Sequence, residues 1–162
     1  MINLSNENIV KYYTHFEDAK HICLVLELAD KNHLLAKLRQ SGVIQEKQVV
    51  NYLFQAFKAV NYLHSQHPPI IHRDIKPENI VFVNGVLKLV DFGWCGLKLS
   101  EEERKTFCGT RDYLAPEMVL KKGHDEKIDI WCLGVLAFEL TTGNIPFNPT
   151  DIKKSNIRHH LE

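Results

Sequence analysis

Several features that would indicate a polyanion binder, a membrane protein or a secreted protein are missing from this sequence. Twenty basic and twenty acidic side chains balance in 162 residues, so no net charge draws the chain to nucleic acid or an anionic membrane. No stretch reaches the roughly 20 apolar residues of a membrane-spanning helix. The first residues also lack the basic and apolar regions of a signal peptide. We therefore expect a soluble, intracellular protein that binds neither nucleic acid nor membranes.

Metal-binding and disulfide patterns are also missing. The four cysteines are widely separated and form no C-x-x-C pair, which argues against a disulfide framework or a zinc site. We expect reduced thiols at Cys23, Cys95, Cys108 and Cys132. The nine histidines show no H-E-x-x-H spacing, which argues against a metallohydrolase. The hydrophobic fraction of 44% and charged fraction of 25% are typical of one globular domain.

Short strands are predicted at two places in the chain. Segments 9–16 and 21–28 are rich in β-branched and aromatic residues and are separated by a polar turn. Segment 80–90 reads as a hairpin, because Asn84-Gly85 supplies the positive φ angles that a tight two-residue turn requires.

Helical periodicity accounts for much of the remaining chain. A short helix around Leu34 should end at Gly42, and a long helix is predicted over about 46–66. The apolar face of the long helix is expected to contain Val50, Leu53, Phe54, Phe57, Val60 and Leu63. A helix over about 128–142 is apolar nearly all round, which indicates a core position. Segment 93–110 has no sustained period and is predicted to be a long functional loop.

Three short motifs resemble the signature of protein kinases. Residues 72–79 read HRDIKPEN and match the catalytic-loop pattern H-R-D-x-x-x-x-N. The D-F-G motif at 91–93 and the A-P-E motif at 115–117 follow in the expected order. The order D-x-K-P-E-N within the first motif resembles serine/threonine kinases rather than tyrosine kinases.

Phosphoryl transfer gives each of these residue types a role. The reaction depends on positioning and on stabilising charge that spreads over the phosphate oxygens. Asp74 is expected to accept the substrate hydroxyl proton, and Lys76 to reach the γ-phosphate of ATP. Asn79 and Asp91 offer the hard oxygen ligands that Mg²⁺ prefers. ATP and Mg²⁺ are therefore the expected cofactors.

A narrower resemblance is to the Aurora kinases. It rests on Trp94 after D-F-G, on the C-G-T run at 108–110, and on HDEKIDIW at 124–131. Polo-like and cAMP-dependent kinases match fewer of these positions. The resemblance implies protein substrates, a possible activating protein partner, and a location in the cytoplasm or nucleus, at the spindle or centrosome.

The same resemblance assigns the nucleotide site and two structural roles. It implies that backbone groups of Glu27 and Ala29 bond the adenine, that Leu26 is the gatekeeper, and that Val81 forms the floor beneath the ring. Asp129 resembles the buried aspartate that holds the backbone of the catalytic loop. His72 and Phe92 are expected to pack together rather than to act in catalysis.

The resemblance also implies residues for regulation and substrate binding. Thr106 occupies the position of the activating phosphosite, with Arg73 as the cation for its phosphate. Thr110 resembles a threonine that bonds the catalytic aspartate and lysine, next to bound substrate. Glu78 and Glu139 align with acidic residues that accept a substrate arginine, which predicts a basophilic kinase.

Some expected kinase parts are missing from the sequence. There is no G-x-G-x-x-G run, no β3 lysine and no αC glutamate. We therefore expect an α+β, kinase-like C-lobe that is mainly α-helical with short β-hairpins, with the N-lobe mostly missing. Residues 1–29 would be remnant N-lobe strands and the hinge, and 30–162 a C-lobe incomplete at its C-terminus. A catalytically incompetent C-lobe that acts as a docking or regulatory module stays an alternative to an active kinase.

Overall fold

The computed structural model describes residues 4–31, 33–93, 95–97, 111–120 and 122–147, and confirms a mainly helical α+β arrangement with small sheets. The strands are β1 (Tyr12–Glu17), β2 (Ile22–Leu26), β3 (Ile70–Ile71), β4 (Ile80–Val83), β5 (Val86–Leu89) and β6 (Gly96–Leu97). The helices are α1 (Leu34–Ser41), α2 (Glu46–His64), α3 (Pro116–Val119) and α4 (Lys127–Thr142). None of the helices in this part of the chain is long and apolar enough to cross a membrane.

Each sheet is an antiparallel pair of strands: β1 with β2, β3 with β6, and β4 with β5. The predicted hairpin at 80–90 is confirmed. Asn84 and Gly85 connect its strands with φ angles of 50° and 80°. Because residues alternate across a strand, Ile80 and Phe82 face the core while Val81 and Val83 are only half-buried on the other face. Val81 is thus on the side of β4 that the core does not cover.

The first predicted strand is correct only in its second half. Strand β1 begins at Tyr12 rather than at Ile9, and Ile9 instead forms a parallel bridge with Leu89 of β5. The amide of Val10 donates to the carbonyl of Leu89 at 3.1 Å, and the amide of Leu89 donates to Asn8 at 2.9 Å. The apolar residues at the start of the segment therefore attach it to the β4–β5 hairpin.

Both helices predicted after the hairpin β1–β2 are present. The imidazole Nδ1 of His33 accepts from the amide of Ala36 at 3.2 Å and caps α1. The helix ends where predicted, as Gly42 donates its amide to Leu38 at 2.8 Å. Helix α2 begins at Glu46 as predicted and ends at His64, slightly earlier than expected.

The predicted buried face of α2 is wrong for half of its members. Val50, Phe54 and Phe57 are exposed, with 62%, 64% and 45% of their surface accessible. The core side of the helix is formed by Val49, Ala56, Ala59, Val60 and Leu63. Helix α2 packs against α4 and β5, and its alanines permit that close approach where phenylalanines would not fit. The hydrophobic pattern predicted that the large side chains are buried, but in the structure the small alanines face the core.

Helix α4 is the central helix of the fold, as its composition predicted. Seven of its residues are buried: Ile128, Asp129, Cys132, Leu133, Val135, Leu136 and Leu140. Phe138, although it lies in this apolar helix, is 44% exposed. One core cluster joins α4 to α1, α2 and the β4–β5 hairpin, and a second joins its start to β3 and α3. The helix therefore connects every part of the structure that carries a kinase motif.

Gly143 ends α4 in the left-handed conformation, with a φ of 72°, and donates its amide to Glu139 at 2.8 Å. A Cβ atom at this position would overlap the backbone carbonyl of Gly42, which ends α1. We expect Gly143→Ala to lower the free energy of unfolding by about 2–3 kcal/mol, from backbone strain and this overlap together. Urea denaturation monitored by circular dichroism measures the change.

The matched control is Gly42→Ala. Gly42 has a similar φ of 74°, but a Cβ there meets no atom within 4 Å. The control should lose only the strain contribution, about 1 kcal/mol. Equal losses for the two variants would show that the contact between the helix ends is not tight.

Candidate active site

The carboxylate of Asp74 is buried and held from two directions. Only 4% of its side chain is exposed, and Lys76 Nζ lies 3.0 Å from Asp74 Oδ2. Asn79 Nδ2 donates both to that oxygen and to the Asp74 carbonyl, at 2.8 Å each. A 3₁₀ turn over Pro77–Asn79 folds the chain back and makes these contacts possible. The predicted pair Asp74 and Lys76 and the predicted ligand Asn79 are therefore brought together.

Asp129 holds the backbone of the catalytic loop, as the sequence predicted. Its Oδ2 accepts from the amide of His72 and its Oδ1 from the amide of Arg73, both at 2.9 Å. Arg73 has a φ of 69°, which is a strained conformation for a residue with a side chain. Since Asp129 is fully buried, water does not compete for these bonds. The turn before Asp74 is fixed by a residue 55 positions away in sequence.

His72 packs against Phe92 and connects two segments of the site. Its Nδ1 accepts from the amide of Asp74 at 3.3 Å, so its Nε2 carries the proton and donates to the carbonyl of Val90 at 3.1 Å. Burial lowers its pKa, against the opposing effect of Asp129, and this favours the neutral ring. The ring centroid lies 5.1 Å from that of Phe92. His72 thus joins the catalytic loop to the D-F-G segment.

A backbone hydrogen bond of the residue before Asp91 brings this segment next to Asn79. The amide of Val90 donates to the Asn79 carbonyl at 3.0 Å, and Asp91 itself has a φ of 61°. One carboxylate oxygen, Oδ1, accepts from the amide of Gly93 at 3.2 Å. The amide nitrogen of Asn79 is committed to Asp74, so its oxygen is the atom left for a cation.

The amide oxygen of Asn79 and the carboxylate of Asp91 form a donor set that fits Mg²⁺. Magnesium keeps several waters and substrate phosphates and takes only one or two protein carboxylates. The described residues contain no group of three or more acidic, cysteine or histidine side chains that could hold a metal ion. Asn79 and Asp91 would hold the ion only together with ATP.

The segment predicted to bond adenine follows β2 and is tied to the rest of the fold at both ends. The amide of Glu27 donates to Lys11 at 2.8 Å, and the amide of Asp30 donates to Phe82 of β4 at 2.7 Å. The Glu27 carboxylate pairs with Lys88 Nζ at 3.0 Å and accepts from the Lys11 amide. Burial raises the pKa of Glu27, but the bonds from Lys88 and Lys11 outweigh it and lower the pKa overall. Ala29 is half-buried within this segment.

Glu78 and Glu139 lie in one acidic group. Burial raises the pKa of Glu139, the hydrogen bond from Tyr113 opposes this, and the nearby charges of Glu78 and Asp112 raise it further. The Tyr113 hydroxyl donates to Glu139 Oε2. Glu78 is exposed and Glu139 half-buried. A cation would relieve the repulsion between these carboxylates.

The guanidinium of Arg73 is buried without an acidic partner among the described residues. Only 7% of the residue is exposed, and its Nε has no hydrogen-bond partner. His124 is similarly buried, and its Nε2 is also unpartnered. Burial lowers the pKa of His124, and the charge of Arg73 lowers it further. The positive charge here is therefore that of Arg73, and an anion would stabilise its buried guanidinium.

Four residues singled out from the sequence lie outside the described part of the chain: Trp94, Thr106, Cys108 and Thr110. The predictions attached to them stay predictions. The other cysteines, Cys23, Cys95 and Cys132, are free thiols as expected. Burial raises the pKa of Cys95 to about 12, so this thiol is unreactive.

Sequence reasoning missed three side chains that support the site. Tyr113 contacts Glu139, Lys88 pairs with Glu27, and His64 Nε2 lies 2.8 Å from Asp129 Oδ2. Lys88 and His64 belong to no recognisable motif, and the D-Y-L run at 112–114, which is part of the resemblance to Aurora kinases, gives no sign of the partner of Tyr113. Their partners are far away in the chain, so only the fold reveals the contacts.

Comparisons with known proteins identify a matching family and several similar proteins. The protein kinase domain family matches residues 1–162. The chain is 47% identical over 146 residues to the Aurora kinase of Schizosaccharomyces pombe, covering 90% of this chain and 40% of that protein. It is 41% identical over 146 residues to Aurora kinase B of Mus musculus, covering 90% of this chain and 41% of that protein. The chain thus spans about two fifths of the length of these curated relatives.

Proposed function

Since the chain belongs to the protein kinase family and is Aurora-like, we propose that it carries the catalytic groups of a serine/threonine kinase. The reaction transfers the γ-phosphate of ATP to serine or threonine hydroxyls of proteins. One observation carries the proposal: a buried Asp74 carboxylate held by Lys76 and Asn79, with Asp91 adjacent in the fold. A docking or regulatory module would not need this arrangement.

In the proposed mechanism Asp74 orients the substrate hydroxyl and accepts its proton. Lys76 and Asn79 both contact Asp74 Oδ2 and so hold the carboxylate in the position from which it would accept that proton. Lys76 also supplies a positive charge for the transferred phosphate. Bound Mg²⁺ would neutralise phosphate charge, with the oxygens of Asn79 and Asp91 as its ligands.

We propose that residues 1–29 form strands and a hinge and that 30–162 form the catalytic C-lobe. Two features support this division. The segment after β2 is anchored to Lys11, just before β1, and to Phe82 of β4, which suits a connection that bonds adenine through the backbone of Glu27 and Ala29. Val81 lies on the face of β4 that the core leaves uncovered, which suits the floor of a nucleotide site.

The test of this function is a phosphoryl-transfer assay. The full-length protein is incubated with radiolabelled ATP, Mg²⁺ and serine peptides with and without arginine near the serine. We expect labelled phosphoserine, and no label when Mg²⁺ is chelated. Transfer that the Asp74→Asn variant performs equally well would contradict the proposal, because the activity would then come from a contaminant.

We propose further that Glu78 and Glu139 bind a substrate arginine two positions before the phosphorylated residue. The repulsion between these carboxylates supports this, since a guanidinium would relieve it. Replacing both by alanine should reduce the preference for arginine, measured as the kcat/KM ratio of matched peptides, by about tenfold or more. The ratio for the parent should also fall as pH decreases and Glu139, with its raised pKa, takes up a proton.

The control for this pair is Glu7→Ala together with Glu17→Ala. Both are exposed glutamates far from the site in sequence, and they remove the same total charge. The control should leave the peptide ratio within about twofold of the parent, because distant exposed charges are screened. A similar fall in both double variants would indicate a general charge effect rather than a pocket.

Regulation is proposed to act through phosphorylation of Thr106, with Arg73 as the partner of the phosphate. The buried guanidinium of Arg73, unpartnered at Nε in the described structure, supports this role. Thr110 is proposed to contact Asp74 and Lys76 beside the bound substrate. An activating partner and a spindle or centrosomal location are proposals from the Aurora-like sequence.

A further inference from the structure

Two places in the sequence carry the arginine that the proposed acidic pocket would bind in a substrate. Among all serines and threonines of the chain, only Ser41 and Thr106 have an arginine two positions earlier, at Arg39 and Arg104. Thr106 is the proposed activating site and lies outside the described residues. No motif assigns a role to Ser41, and its surroundings are described.

Ser41 is the last residue of α1 and is accessible to another protein. Residues 39–43 are all exposed, and the nearest buried side chains are Leu38 before them and Ile44 after them. The Ser41 hydroxyl donates to the carbonyl of Lys37 at 2.9 Å. Because the ends of helices fray, this last turn can unwind without exposing any core side chain.

Arg39 is available to an acidic pocket on another molecule. Its side chain is exposed, and no ion pair joins it to another residue in the described part of the chain. A guanidinium would relieve the repulsion between Glu78 and Glu139. In an extended segment Ser41 would then lie about 7 Å further along the chain. Glu78 follows Asp74 within the same catalytic loop, so a serine at that distance suits the proposed proton acceptor.

We propose that Ser41 is a phosphorylation site, modified by the active site of a second copy of this protein. In the transfer, the Ser41 hydroxyl oxygen attacks the γ-phosphorus of ATP, and the bond from that phosphorus to the bridging oxygen of ADP breaks. Asp74 of the second copy accepts the hydroxyl proton, and the products are phosphoserine and ADP. This assignment rests on the proposed kinase activity.

The acceptor site belongs to a second copy because segment 39–43 is tied to its own core at both ends. Leu38 and Ile44 flank the segment, and both are buried in the same cluster as Ile75, which follows Asp74. The ends of the segment are therefore fixed relative to Asp74 of the same molecule. The site of a second copy can approach the exposed turn from outside.

A phosphate at Ser41 would weaken the end of α1. The phosphorylated oxygen carries no proton and could not donate to the Lys37 carbonyl. Its negative charges would lie beside the last carbonyls of the helix, where the helix dipole is also negative. Lys37 Nζ lies over the ring of Phe82, 4.5 Å from its centroid, and would have to leave that ring to pair with the phosphate. We therefore expect phosphorylation to loosen α1 against β4.

The first experiment uses the full-length parent as enzyme and a tagged full-length Asp74→Asn protein as substrate, since that variant should transfer little phosphate itself. Site-resolved mass spectrometry measures the initial rate of phosphorylation at Ser41. Arg39→Gln in the substrate should lower this rate about tenfold or more, because the acidic pocket loses its cation. Lys47→Gln is the matched control, as Lys47 is an exposed cation on α2 outside the recognised segment. It should leave the rate within about twofold.

A serine peptide with an arginine two positions before the serine is the reference substrate. If the parent phosphorylates this peptide but leaves Ser41 unmodified, the proposed function stands and Ser41 is not a site. If it phosphorylates neither, both are wrong. Equal rates at Ser41 with and without Arg39→Gln would also overturn the inference, because recognition would then not depend on the arginine.

The second experiment measures the effect of the phosphate on α1. The Asp74→Asn substrate also carries Thr106→Ala, so that Ser41 is the only residue left with the arginine match. Calorimetry compares its phosphorylated and unphosphorylated forms, and we expect phosphorylation to lower the melting temperature by about 2–4 °C. The same substrate with Ser41→Ala should show no shift after identical treatment. An unchanged melting temperature of the phosphorylated form would contradict the loosening of α1.

Discussion

Asp74→Asn is expected to slow phosphoryl transfer by about 10³-fold or more while the protein keeps its fold. Removing a positioned general base costs about 10²–10⁴-fold. The asparagine keeps the volume of the aspartate and an oxygen that can still accept the bond from Asn79 Nδ2. The melting temperature should change by only a few degrees, as for a small change in unfolding free energy. Initial rates with radiolabelled ATP and a calorimetric scan measure both quantities.

The control for this variant is Asp18→Asn. Asp18 lies in the exposed turn between β1 and β2, where its Oδ1 accepts from the amides of Lys20 and His21. Asparagine retains that oxygen, so the rate should stay within about twofold of the parent. An Asp74→Asn variant with turnover within tenfold of the parent would show that this carboxylate is not the proton acceptor.

Asp129→Ala is expected to lower the stability of the protein strongly. It leaves the amides of His72 and Arg73 and the Nε2 of His64 without their common acceptor in a fully buried site. Each unsatisfied buried donor costs about 1–3 kcal/mol, so the loss should exceed about 3 kcal/mol. That is a large part of the roughly 5–15 kcal/mol that stabilises a typical domain. Urea denaturation of the variant and parent measures the difference.

Two further variants are compared with Asp129→Ala, one that keeps the volume of the side chain and one that removes an exposed hydrogen bond instead of buried ones. Asp129→Asn keeps the volume and one oxygen acceptor, so it should lose less stability than Asp129→Ala. Asp125, in the loop before α4, accepts an exposed hydrogen bond from the amide of Lys127. Asp125→Ala should therefore lower the free energy of unfolding by about 1 kcal/mol. A loss below about 1 kcal/mol for Asp129→Ala would mean that water replaces the carboxylate, and the catalytic loop would then not depend on it.

The residues proposed for catalysis could be located in the sequence because the proposed chemistry requires them at fixed spacing along one segment. Asp74, Lys76 and Asn79 occur within six residues, and a 3₁₀ turn is enough to bring them together. Asp91 follows a hairpin whose turn residues are themselves recognisable. Local geometry therefore determines most of this part of the site, and local geometry is what sequence patterns report.

The buried face of α2 could not be predicted because both sides of this helix carry apolar residues. Phe54 and Phe57 contribute more to a hydrophobic stripe than Ala56 and Ala59 do, yet the alanines face the core. Which side is buried depends on how closely α4 and β5 approach. That distance is a property of the packed helices and strands and is absent from the pattern of any one of them.

By itself the sequence determined the kinase motifs, the helices, the β4–β5 hairpin and the residues proposed for proton transfer and metal binding. Each of these depends on residues close together in the chain. The tertiary structure decided what holds the site in place: His64 against Asp129, Tyr113 against Glu139, and Ile9 beside Leu89. These contacts join residues from 26 to 80 positions apart. Burial in a shared core, rather than any local preference of the chain, brings such partners together.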